Sequence, residues 1–245
     1  KISISSIIIF CENSSLKSFK LAILFDPTSD FLNRYNGDRV IFRPYEFSVS
    51  GVLGEYNGPL YAPLREPFTK NKLVKTSRSL LKTGLICFGA SDPTNITENL
   101  IRYLKSNTKA SNYKVLLGSN YKSPELIDAL VKNAPSFEVF TGAKTEEVIG
   151  EVDHAFCSLG SIFYELNALS IPSIIINHSD DHQRIAQQLL EKFNMSHSLN
   201  LGLKSDICKD KIDLALDSIR NSDFIRVCDA KGLDRIIRVV EELVF

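Results

Sequence analysis

Gly160, Ser161 and Glu165 have the residue types and spacing of a site for an anion beside hydroxyls. They fall in DHAFCSLGSIFYELNALSIPSIIINHSDDHQ, from Asp153 to Gln183. This stretch reads as a buried strand, a small-residue turn, a helix, a second buried strand and a polar loop, which is one βαβ unit. Gly160 permits a positive φ or the close approach of another molecule to the backbone. Ser161 stands where the helix must begin, with N–H groups aimed outward that have no partner inside the helix. Such a start attracts anions, phosphate above all. Glu165 follows Ser161 by one turn on the same face and offers an acceptor for hydroxyls. A nucleoside diphosphate presents both kinds of group. The same residues also fit a plainer role, a capped βα turn followed by a carboxylate that the helix dipole favours.

The elements that must hold these residues are legible from about Thr83 onward as alternating strands and amphipathic helices. Strands are expected at Leu85 to Phe88, Tyr113 to Leu117, Phe137 to Phe140, His154 to Cys157 and Ser173 to Ile176, with a weaker one near Ser196. Between them lie Ile96, Leu100, Ile101, Leu104; then Leu126, Ile127, Leu130, Val131; then Ile162, Leu166, Leu169, all at helical spacing. That alternation means a doubly wound, Rossmann-like parallel sheet covered on both faces. Two last helices, carrying Leu214, Ala215, Ile219 and Leu233, Ile236, Ile237, Val240, are expected to cross the sheet's face or to reach back over a neighbouring domain. The front of the chain is less regular. Ser6 to Phe10 and Leu21 to Phe25 read as strands, Asp26 to Ser29 as a turn, and Tyr35 to Lys75 as a connecting region rich in Gly, Pro and aromatics. The expected division is therefore 1–75, the end of an N-terminal α/β domain plus a connection, and 76–245, a nucleotide-binding domain.

In an open parallel sheet ligands bind at the carboxyl ends of the strands. Three more loops there carry small or polar residues: Gly89, Ser91 and Asp92 after the first strand, Thr141, Gly142 and Lys144 after the third, and Asn177 to Gln183, with His178, His182 and Gln183, after the fifth. The Ser91-Asp92-Pro93 piece reads as a second helix start open to an anion. His154 and His197 are expected to be structural or solvent-facing.

Composition narrows the partners. Lys plus Arg and Asp plus Glu are 29 each, with no basic block, so neither a nucleic-acid groove nor an anionic membrane surface is expected. The five cysteines have neither CxxC nor Cys/His cluster spacing, so no zinc site or disulfide framework is indicated and a reducing cytoplasm fits best. Apolar runs are too short to span a bilayer, and no secretory signal is recognisable. Asp180, Asp181 and His182 are consecutive in a loop and are not expected to aim at one ion, so no metal and no cofactor is expected.

Five segments then carry a resemblance: GPLYAPLREPF (Gly58 to Phe68), GASDPTN (Gly89 to Asn95), GSIFYELNALSIPSI (Gly160 to Ile174), DDHQ (Asp180 to Gln183) and DAKGLDRI (Asp229 to Ile236). In this order and spacing they resemble the UDP-sugar hydrolases of pseudaminic acid synthesis. Those enzymes are similar in turn to the UDP-GlcNAc transferase of peptidoglycan synthesis, of two-domain GT-B architecture. The resemblance implies that Gly160 and Ser161 meet a pyrophosphate and that Glu165 accepts from ribose hydroxyls. It implies too that Gly89, Ser91 and Asp92 lie beside the phosphates, that backbone groups near Thr141 to Lys144 read uracil, and that His182 and Gln183 stand on the sugar side, where the family has Asn-Gln. The family's Gly-rich N-terminal loop with its catalytic His has no counterpart here. Because the chain also enters a strand-like run directly from Lys1, a preceding N-terminal domain is expected. The resulting expectation is the UDP-sugar-binding half of a nucleotide-sugar hydrolase acting on a UDP-linked diacetamido-trideoxyhexose. A GT-B glycosyltransferase and a non-catalytic nucleotide-sugar or partner-binding module are the alternatives.

Overall fold

The computed structural model describes residues 9–12, 20–25, 38–43, 54–69, 81–107, 112–195, 198–221 and 223–244. The Asp26 to Ser29 turn and His197 lie outside them. By its internal packing the chain divides into two units, Lys1–Leu64 with Cys228–Phe245, and Arg65–Val227.

The first unit holds a sheet of four strands, β1 (Ile9–Glu12), β2 (Lys20–Phe25), β3 (Asp38–Arg43) and β4 (Gly54–Asn57), in that order across the sheet. β1 runs antiparallel to β2, and the other pairs are parallel. β3 and β4 fall inside the stretch read from sequence as a connection. In DRVIFR only three apolar residues stand between charges, too short a run to show a period, and it is the parallel neighbours that make the strand. Ile41 and Phe42 are fully buried. Phe42 packs with Ile236 and Val239 of the C-terminal helix Gly232–Val244, and with Tyr56 and Tyr61, whose rings lie 5.3 and 6.0 Å from its own.

Two of the five resembling segments meet here. A Cβ on Gly232 would come 2.1 Å from the carbonyl oxygen of Ala62, so only glycine lets the helix start lie on the 59–62 turn. Arg235 then donates to the Leu60 carbonyl at 3.1 Å and to both oxygens of Asp229, at 2.7 and 2.5 Å. The match between GPLYAP and DAKGLDRI is thus a packing match.

The second unit is the parallel sheet. Its strands are β5 (Thr83–Cys87), β6 (Asn112–Leu117), β7 (Phe137–Thr141), β8 (His154–Cys157), β9 (Ser173–Asn177) and β10 (Ser198–Leu203), ordered β10-β9-β8-β5-β6-β7, every neighbouring pair parallel. Strand order reverses between β5 and β8, where consecutive crossovers diverge and leave a crevice. The helices are α1 (Glu66–Thr69), α2 (Ile96–Asn107), α3 (Pro124–Val131), α4 (Thr145–Val148), α5 (Ser161–Ala168), α6 (Asp180–Lys192) and α7 (Lys209–Asn221). The central strands β8 and β9 are buried at every position, as an internal parallel strand must be. One face of the sheet gathers Ile86, Phe88, Val115, Leu117, Phe156, Ile174 and Ile176 against Leu100, Leu104, Ile212 and Ile219. Leu126 and Leu214, apolar residues at helical spacing, face solvent instead, with Leu214 71% exposed.

Candidate functional site

The site is built at the carboxyl ends of β5, β6, β7 and β8. A cleft of about 440 Å³ opens there, lined by Gly89 and Ala90, by Gly118 and Ser119, by Gly142 to Thr145, and by Ser158, Gly160, Ser161, Ile162 and Glu165. Between the β5 and β6 ends the loops crowd one another. A Cβ on Gly118 would meet the Ala90 Cα at 2.3 Å and the Gly89 carbonyl oxygen at 2.4 Å.

On the β8 side the chain enters α5 through Gly160, whose φ of 177° is ordinary extended backbone. No side chain caps this helix. At its first turn Phe163 N–H donates to the Gly160 carbonyl at 3.0 Å. The amides of Ser161 and Ile162 therefore stand at the cleft wall as a cap-free helix start, where N–H groups and dipole favour negative charge.

α5 is buried on every side from Ile162 to Ala168, so Glu165 is a carboxylate set into a core helix, 5% exposed. Its partner is Arg65. The guanidinium donates through Nε and Nη2 to the same oxygen, Oε1, at 3.1 and 3.0 Å, and Nη1 lies 2.9 Å from Oε2 of Glu146. The ring of Phe68 supports the guanidinium from 5.1 Å. The pair is asymmetric. Burial raises the Glu165 pKa above the usual carboxylate value, and the Arg65 charge and hydrogen bond oppose that without cancelling it. Arg65 is about half exposed; desolvation works against its cation, but the two carboxylates outweigh it and its pKa rises. Arg65 lies within GPLYAPLREPF, yet its partners are 81 and 100 residues away along the chain, and no local pattern signals that. Lys144, exposed at the rim, is a second cation on the cleft.

The residues expected from sequence separate in space. Gly89, Gly142, Gly160, Ser161 and Glu165 line the cleft, whereas Thr141 ends β7 with its side chain exposed and is not on the wall. Ser91 is exposed. Asp92 is 2% exposed and turned inward: Oδ1 accepts from Ile96 N–H at 2.9 Å and Oδ2 from Thr97 N–H at 2.8 Å. The start of α2 is thus occupied by the chain's own carboxylate. His178 is held beside it. Its Nε2 is 3.2 Å from the Phe88 carbonyl and its Nδ1 2.8 Å from the Thr94 hydroxyl. Since a carbonyl only accepts, Nε2 carries a proton, and the Thr94 hydroxyl can meet Nδ1 as donor or acceptor. Burial lowers its pKa, opposed by the Phe88 bond and the Asp92 charge. His182 is exposed in the first turn of α6, where its N–H donates to the Ser179 cap at 3.3 Å. Gln183 lines a separate crevice between α6 and β10. Among the described residues no group of three or more His, Cys, Asp or Glu side chains gathers to hold a metal, and no helix is long and apolar enough to cross a membrane.

Comparisons with known proteins bear on the fold. No family profile matches the chain. An uncharacterized protein of Methanocaldococcus jannaschii is 27% identical over 197 residues, which cover 78% of this chain and 39% of that protein. The crystal structures of Acinetobacter baumannii MurG and of CalG4, the calicheamicin glycosyltransferase, each align with a TM-score of 0.55, at 15% and 13% identity. The alignments cover 87% and 89% of this chain but only 62% and 54% of those chains. The chain therefore spans less than two thirds of each of these relatives. At such low identity the likeness is one of fold, and the fold is the Rossmann-like α/β architecture of GT-B proteins.

Proposed function

We propose that the chain is the donor-holding part of a GT-B glycosyltransferase and that the donor is a UDP-sugar. The observation that carries this reading is the convergence, in one cleft, of the cap-free start of α5 and the buried carboxylate of Glu165. The diphosphate sits at the Ser161 and Ile162 amides, the ribose hydroxyls reach Glu165, and the base lies along Gly142 to Thr145. Both Arg65 bonds fall on Oε1 and Thr145 supplies one more, which still leaves the carboxylate, with about four acceptor positions, capacity for further donors. When the bond from the anomeric carbon to the diphosphate oxygen breaks, negative charge grows on the phosphates. A preoriented helix start, with Arg65 and Lys144 as the nearby cations, is suited to stabilise it.

The hydrolase expected from the five segments differs only in the acceptor, water in place of a sugar hydroxyl. Transfer is favoured because the calicheamicin enzyme among the structural neighbours is a glycosyltransferase. One of those five segments, DAKGLDRI, and the GPLYAP part of another are, moreover, explained by packing in the other unit.

Titration calorimetry with UDP and with 2′,3′-dideoxy-UDP, on the parent and on Glu165→Gln, tests the reading. Charge-assisted hydrogen bonds of about 1.5–3 kcal/mol predict a loss of UDP affinity of roughly ten- to a hundredfold in the variant. The dideoxy ligand should show almost no difference between the two proteins. Equal UDP affinity in parent and variant, or equal affinity of the parent for UDP and ADP, overturns it.

A further inference from the structure

A second concavity in the same unit, about 520 Å³, lies between α6 and the outermost strand β10, away from the nucleotide cleft. Its walls are unusual in kind. Four carboxamides, Gln183, Gln187, Gln188 and Asn200, face it, and Leu201 is the lone apolar side chain among the lining residues. Its charges largely offset one another: Lys211 is held 2.9 Å from Asp206, and Arg184 approaches Asp181 at 3.9 Å. Such a surface has no apolar wall to bind a hydrophobic molecule and little net charge to draw an anion.

The floor is rigid. Pairing of β10 with β9 shifts register between Asn200 and Gly202, a bulge of the kind that re-aims a side chain. The re-aimed Asn200 amide accepts from Asn177 Nδ2 at 2.8 Å and from Gly202 N–H at 3.1 Å, and donates to the Gln183 carbonyl at 3.0 Å. Gly202 has φ +96°, which strains any other residue, and a Cβ there would lie 2.5 Å from Asp206 Oδ2 and displace that carboxylate. The rim is uncommitted by contrast. Among the described residues the side-chain amides of Gln183 and Gln188 make no hydrogen bond, and Gln187 reaches only Glu191 and, at 3.5 Å, Asn200.

A carboxamide donates and accepts at once, and so does each hydroxyl of a sugar; neighbouring hydroxyls taken from water need that one-for-one replacement. We propose that the α6–β10 crevice binds a neutral saccharide. The inference does not rest on the nucleotide reading, because no residue is shared between the two concavities. The affinity is expected in the millimolar range, since polar contacts exchange for water at small net gain.

Backbone amide NMR titration with glucose, N-acetylglucosamine and maltotriose tests it. At least one of them should give saturable shifts at residues 183–188 and 200–202. The double variant Gln187→Leu, Gln188→Leu, both exposed positions whose spectrum also reports the fold, should weaken binding at least about tenfold. Gln188→Glu alone should weaken it too. Glu165→Gln should leave the saccharide shifts in place, which separates this site from the nucleotide cleft. No saturable shift with any of the three sugars, shifts confined to other residues, or unchanged affinity in the double variant would overturn the proposal.

Discussion

Two turns of one kind stand a few residues beyond neighbouring strands, and the chain treats them oppositely. After β5 the run Gly89-Ala90-Ser91-Asp92 leads into α2, and after β8 the run Ser158-Leu159-Gly160-Ser161 leads into α5. At α2 the carboxylate of Asp92 is buried and bonded to two helix-start amides. At α5 no side chain does that work, and the amides face the cleft. Small residues before a helix therefore say only that N–H groups will be exposed there. Whether they are kept for a ligand depends on whether the chain supplies its own acceptor, as it does with an Asp four residues ahead of Ile96.

The largest effect expected from this comparison is on stability. Asp92→Ala removes two hydrogen bonds to a buried helix start and should cost about 2–4 kcal/mol, more than an exposed cap. Asp92→Asn keeps one acceptor and should recover about half. UDP affinity should change little in either. Denaturant unfolding beside UDP titration measures both, and a large affinity loss with intact stability would move Asp92 from the scaffold into the site.

The parallel sheet of the second unit was legible because internal strands such as Ser173–Asn177 are runs of β-branched residues bounded by polar turns, and the helices between carry apolar residues at regular spacing. β3 and β4 were not legible, because DRVIFR and GEYN carry too few apolar residues to show a period, and pairing alone defines them. Of the site, the turn at Gly160 and the carboxylate of Glu165 could be read locally. Arg65 could not, since its meaning is set by Glu146 and Glu165, far along the chain. The direction of Asp92 was open too, because a Ser-Asp-Pro run caps a helix in more than one way.

A third buried polar group lacks an internal partner among the described residues. His154 is fully buried between Tyr113 and Phe156, and neither ring nitrogen has a hydrogen-bond partner among the described residues. Burial lowers its pKa to about 4; Asp153 opposes this, and Arg220 adds to it. In the unfolded chain the ring titrates near 6.5, so between pH 6.5 and 4 the unfolded state binds the proton and the folded state does not. Stability is then lost as pH falls through that window, by about 2 kcal/mol at pH 5 from this residue. His154→Phe should remove that part of the acid sensitivity, seen as a smaller drop in unfolding free energy between pH 7 and 5. The parent and variant losing stability in parallel would show that other groups govern it.

The finest test turns one helix start into the other. Gly160 has nothing within 4 Å of a Cβ, and its φ of 177° suits any residue, so Gly160→Asp can be made without a clash. An aspartate at that position can accept from the α5 amides as Asp92 does at α2, and a cap of that kind adds about 1 kcal/mol of stability at most, since glycine is already a fair N-cap. If those amides hold a diphosphate, the same carboxylate both occupies them and repels the anion, so UDP affinity should fall by more than about tenfold, or 1.4 kcal/mol. Gly160→Ala separates the two effects, because it fills the same space without an acceptor and should leave affinity nearly unchanged. A variant with a raised melting temperature and a weakened UDP affinity would make the openness of α5 a functional property. A Gly160→Asp protein that is stabilised and still binds UDP as tightly as the parent would show that the diphosphate, if it binds, does not sit at that helix.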